Sequence, residues 1–122
     1  MKSFITNILF FLFVISAYSQ SDGKSLAIEG MNYYMGNGKS IDYNKAFSYF
    51  LSSAKQGDMV GQYFLGLCYY NGQGTAKNQS LAFEWFKKSA DQGCPQAECE
   101  TGYCYYMGIG VESDMHIAFK WY

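Results

Sequence analysis

Leu65-Gly66-Leu67-Cys68-Tyr69-Tyr70-Asn71-Gly72-Gln73-Gly74, followed after three residues by Asn78-Gln79-Ser80-Leu81-Ala82-Phe83-Glu84-Trp85-Phe86-Lys87-Lys88-Ser89-Ala90-Asp91-Gln92-Gly93, has counterparts 36 residues away in both directions. Gly30 and Gly102 align with Gly66. Tyr33-Tyr34 and Tyr105-Tyr106 align with Tyr69-Tyr70. Gly36 and Gly108 fall in step with Gly72, and Gly38 and Gly110 with Gly74. Ala46-Phe47 and Ala118-Phe119 match Ala82-Phe83, while Tyr49-Phe50 and Trp121-Tyr122 match Trp85-Phe86. A fixed period of this size marks one supersecondary unit stacked on copies of itself. Such solenoids present a long surface to a partner more often than they enclose a catalytic pocket.

Each unit reads as a first helix, a loop and a second helix. In the second unit the first helix is expected over 59–71, with Asp58 in place to cap its free N–H groups. Asp22 and Cys94 hold the matching places, and Pro95 falls on the first helical position, which needs no N–H donor. Gly72 stops that helix as a left-handed residue. The second helices start after Asp42, Asn78 and Asp114, all good capping residues at one register. Ala82, Trp85, Phe86 and Ala90 then form one apolar helix face, and Gly57 and Gly93 end the second helices of their units. Gly66 and Ala82 are expected to let the two backbones approach closely, with Trp85 and Tyr69 alongside.

The 122 residues make one domain with 20% aromatic content. All nine basic residues are Lys, the net charge is −1, and no basic run exists. Nothing supplies the phosphate neutralisation that nucleic-acid binding requires. Without Arg there is also no bidentate fork for phosphate or carboxylate.

The N-terminus reads as a secretory signal peptide over 1–19. Lys2 precedes an unbroken apolar run from Ile8 to Ile15, then Ala17-Tyr18-Ser19 places small residues where a signal peptidase reads. The run falls short of the ~20 residues that span a bilayer. An exported chain with no membrane attachment after cleavage is expected.

These glycine, aromatic and Ala-x-Gln-Gly landmarks resemble the Sel1-like repeat, a relative of the tetratricopeptide repeat. The resemblance runs from Asp22 to Tyr122: repeat one over 22–57, repeat two over 58–93 and an incomplete repeat three over 94–122. It implies an all-α fold, an α/α solenoid of antiparallel helix pairs in a right-handed superhelix. About two and a half to three 36-residue repeats are present. It also implies adaptor and scaffold roles with protein partners, secretory or cell-envelope settings, and first helices that line the concave face. It transfers no catalytic residue. Glu29 and Thr101 stand where the motif usually has Leu. The sequence stops at Tyr122 inside the third unit's second helix, as in a truncated product or an incomplete sequence. Phe119, Trp121 and Tyr122 would then be poorly covered and would permit self-association.

The chemistry-bearing residues are few. Cys68, Cys94, Cys99 and Cys104 permit three disulfide connectivities in an exported chain. Cys68 and Cys104 occupy equivalent positions on neighbouring helices, about 8–10 Å apart, beyond the reach of a disulfide. They read as buried core residues, and a Cys94–Cys99 bridge would need strain. No zinc-like spacing exists. His116 has no nucleophile beside it in sequence, and Glu98 and Glu100 point in different directions on a helix. No cofactor, metal or catalytic site is therefore expected, and the chain reads as a non-enzyme. The surplus is aromatic: Tyr34, Tyr70 and Tyr106 recur at the repeat period, with Tyr63 and Tyr103 beside them. These five are the candidate partner-binding residues, in a groove for an extended peptide or a helix. Two other readings stand beside a secreted or periplasmic interaction scaffold. One is a small cell-envelope hydrolase, and the other is a structural fragment with no dedicated partner. Intact-mass measurement on exported protein should find Gln20 as the first residue; a mass that retains Met1 would refute the signal reading.

Overall fold

The computed structural model describes residues 22–122, so the signal segment expected over 1–19 lies outside them. The described residues form six α-helices and no strand: α1 (Gly23–Met35), α2 (Tyr43–Lys55), α3 (Met59–Asn71), α4 (Gln79–Asp91), α5 (Pro95–Met107) and α6 (Met115–Trp121). Each packs on the next, joined by short loops, as an α/α solenoid of helix pairs. The helix starts obey the capping chemistry of the sequence. Asp58 accepts from the Gly61 N–H at 2.8 Å, Asn78 from Leu81 at 3.0 Å and Asp114 from Ile117 at 3.0 Å. Cys94 makes no capping bond; Pro95 instead removes one of the N–H groups that would need it. Gly72 ends α3 in the left-handed region at φ +70°, its N–H returning to the Cys68 carbonyl.

Within each unit, a ring from the second helix fills the space left by a glycine on the first. A Cβ at Gly30 or Gly66 would stand 2.6 Å from the ring of Phe50 or Phe86, respectively. In the third unit the fit is looser: a Cβ at Gly102 would stand 3.1 Å from the Trp121 Cβ and 3.2 Å from the ring of Tyr122, which is exposed. The ring over Gly66 is thus Phe86 rather than Trp85, which is half-buried under the Lys88 ammonium. Phe50 and Phe86 are fully buried, each worth roughly 1.5–3 kcal/mol in water removed from its surface. The Ser53 and Ser89 hydroxyls donate to the carbonyls of Gly23 and Met59, both at 2.6 Å. Each bond ties the end of a second helix to the start of its own first helix.

Between units the contacts are aromatic and close. Phe64 stacks on Phe50 at 4.9 Å, and Phe47 and Phe83 meet Tyr69 and Tyr105 edge-on at 5.6 and 5.2 Å. Gln92 reaches back with its Nε2, donating to the Gly57 carbonyl at 2.9 Å and to Gln62 Oε1 at 2.7 Å. Thr101, standing where unit two has Leu65, is fully buried with no partner for its hydroxyl, and nothing in the structure explains it.

The second glycine of each loop shows what stacking demands. Gly38, Gly74 and Gly110 share φ values near +70°. At Gly74 a Cβ would also collide with the Tyr43 carbonyl oxygen of the preceding unit, and at Gly110 with that of Gln79. At Gly38 it would meet nothing within 4 Å. Gly38→Ala should therefore cost only the left-handed strain, about 1–2 kcal/mol. Gly74→Ala should cost about 1–3 kcal/mol more, by overpacking the junction. Each kcal/mol lowers the melting temperature by roughly 4–8 °C at this size. Thermal unfolding of both variants by circular dichroism checks the register, and equal losses would contradict it.

Candidate functional site

The first helices of the units form one layer. α1 touches α3 directly across the first junction, and no comparable contact links α2 to α4. At that junction the first helices therefore lie on the tighter, inner side of the stack. Positions three and four apart share a helix face. That face carries Ile28 and Met31 on α1, Val60, Tyr63, Phe64 and Leu67 on α3, and Gln96, Glu100 and Tyr103 on α5. α3 has no charged residue at all. A depression of about 270 Å³ opens there, lined by Met31, Val60, Tyr63, Phe64, Cys94 and Gln96.

Tyr63 is half-buried, its ring 5.3 Å from Phe64 and 6.1 Å from Phe86. Burial first, and the Glu100 carboxylate second, hold its phenol above the usual value. Burial also raises the Glu100 carboxyl. The five tyrosines singled out in the sequence do not share one environment. Tyr34 is wedged among Tyr43, Phe50 and Phe64, and its hydroxyl donates to Gln73 Oε1 at 2.7 Å across the first junction. Tyr70 is half-buried, 6.5 Å from Phe86. Tyr103 and Tyr106 are exposed by 39% and 50%. The structure joins Tyr63 and Phe64 to Met31, Val60 and Gln96, and these last three the repeat pattern did not single out. Their signal was a second apolar stripe on α3, Val60-Phe64-Leu67, turned away from the Gly66 side.

Cys68 and Cys104 are buried thiols among core residues, and none of the four cysteines is bridged. Burial pushes the Cys68 thiol up to about 12 and that of Cys104 up to about 11. Cys94 is buried at the depression, with its Sγ 3.6 Å from Gln96 Oε1. Cys99 is exposed, and so is His116 at the start of α6. Among the described residues, no three His, Cys, Asp or Glu side chains converge as metal ligands. Nor is any described helix long and apolar enough to cross a membrane.

The family model of the Sel1 repeat matches residues 26–58, 60–94 and 95–122. No curated protein matches the sequence. Among solved structures, a Sel1 repeat protein from Oxalobacter formigenes is 32% identical, with a TM-score of 0.78 over 82% of this chain and 40% of its own. A protective antigen present in uropathogenic Escherichia coli strains, displaying an SLR fold, is 28% identical, with a TM-score of 0.78 over 81% of this chain and 21% of its own. The chain thus spans 40% and 21% of the lengths of these relatives.

The thiols give a direct check on this geometry. The thiolate is the reactive species, and at pH 8 a thiol of pKa about 12 holds only about one part in ten thousand of it. Iodoacetamide on the folded chain should label Cys99 first and leave Cys68 and Cys104 unlabelled until denaturant is added. Peptide mass mapping reads the order; early labelling of Cys68 would contradict its burial.

Proposed function

Because the chain belongs to the Sel1 repeat family, we propose that it is an exported scaffold that holds a protein partner on the inner face of α1, α3 and α5. Sel1 repeat proteins generally mediate protein–protein interactions. The observation that carries the reading here is the aromatic inner face, uncharged along α3, with its open depression. Apolar and tyrosine-rich concavities of this kind are the cores of interfaces, where Tyr supplies contact area at low entropic cost. Tyr63 and Tyr103 touch the partner in this reading, and Tyr106 lies at the edge. Tyr34 and Tyr70 stand behind them and hold the rings in place. The positive start at Lys2 and the apolar run Ile8–Ile15 support export to the periplasm or the exterior.

A photoreactive phenylalanine analogue at Tyr103, in the full chain expressed in its own cell, tests the face. The same analogue at Ser48, exposed on α2, is the control. Crosslinked partner is expected from position 103 and not from 48; equal yields, or none from either, would overturn the inner-face reading.

A further inference from the structure

Glu100 is out of keeping with its place in the repeat. Ile28, Phe64 and Glu100 occupy the same position in the three units. In unit two that position belongs to the ring that stacks on Phe50 at 4.9 Å and closes the junction. In unit three it holds a carboxylate, half-buried, with no hydrogen bond and no ion pair among the described residues. The two ion pairs there join Lys39 to Glu29 and Lys87 to Asp91. Neither α3 nor α5 carries a Lys that could reach it. Burial without a partner disfavours the charged form, which is why the carboxyl is raised. Among the inner-face positions of α3 and α5, Glu100 is the one acidic group beside the depression. Gln96, which lines the depression, is one helical turn before Glu100. Tyr103 follows almost one turn after, with a ring whose face attracts cations.

We propose that the partner docks as an extended segment with a Lys or Arg side chain on Glu100 and an apolar side chain, two residues away, in the depression. One helical turn is ~5.4 Å. Side chains two apart on an extended strand point the same way and stand ~6.8 Å apart. Gln96, at the rim of the depression, and Glu100 thus stand within reach of alternate residues of one strand. The arriving cation supplies the charge that this carboxylate lacks, and the apolar residue displaces water from Met31, Val60 and Phe64. This inference rests on the inner-face reading and adds the chemistry of the ligand to it.

A phage-displayed library of random 12-residue peptides, selected on the full chain, tests it. The enriched peptides are then synthesised and measured against the native chain and Glu100→Gln. The variant removes an uncompensated carboxylate, so it should fold with an equal or higher melting temperature at pH 7. The expected peptides carry Lys or Arg two positions from Leu, Ile, Met or Phe. They should bind Glu100→Gln at least tenfold more weakly, and the difference should shrink as salt screens the pair. Enriched peptides without a basic residue, or with equal affinity for Glu100→Gln, would overturn the cation inference and leave the inner-face scaffold standing. Failure to enrich any peptide, together with equal crosslinking from positions 103 and 48, would remove both.

Discussion

Phe86 can lie against α3 only because Gly66 has no side chain; a Cβ there would stand 2.6 Å from its ring. The same constraint acts at Gly30 under Phe50 and, more loosely, at Gly102 under Tyr122. It sets how close the two helices of a unit come and how they are rotated about their axes. Once Phe86 is fixed on one side of α3, the Val60-Phe64-Leu67 stripe faces the inner layer and Tyr69 faces the second helix of the unit before. The junction contacts, Phe64 on Phe50 and Tyr69 on Phe47, are thus consequences of a glycine–phenylalanine contact made within the unit.

The stack is additive in the way expected of a solenoid, each unit touching only its neighbours. Hydroxyl bonds such as Ser89 to Met59 close single units. The Gln92 bond to the Gly57 carbonyl binds one unit to the one before, while its bond to Gln62 lies within the unit. A helix that must pack on its pair and on both neighbouring units has little free surface, and most of its residues are committed to packing. α3 shows this: Gly61, Gln62, Phe64, Leu65, Gly66 and Cys68 are all buried. On the inner face of α3, the residues only partly covered are Val60, Tyr63 and Leu67.

Much of this was legible in the sequence because capping and turning are local chemistry. Asp58, Asn78 and Gly72 bound their helices where residue type and spacing placed them. Exposure is not local, and there the period misleads. Tyr34 and Tyr106 are equivalent by register, yet Tyr34 lies in a junction bonded to Gln73 while Tyr106 is half exposed. A repeat position specifies which way a side chain points, but its burial depends on what the next unit brings. The choice of Phe86 over Trp85 against Gly66 turned on one residue of helix rotation, 100°, finer than the apolar pattern resolves.

Perfect periodicity would make every unit alike and give a partner no reason to choose one register over another. The departures supply that difference, and they gather on α5. Cys94 replaces the aspartate cap, Thr101 replaces leucine with a hydroxyl that finds no partner, and Glu100 replaces phenylalanine. Each substitution costs stability relative to its counterpart in unit two: a lost capping bond, a buried polar group left unmade and a desolvated charge. α5 is nonetheless held between α4 and α6. Thr101 is sealed in the core and Cys94 is buried at the depression, whereas Glu100 sits on the inner face with its deficit still correctable from outside. A ligand that neutralises Glu100 would therefore bind and stabilise the least regular helix of the stack together, so ligand binding and the firmness of the third unit should be linked.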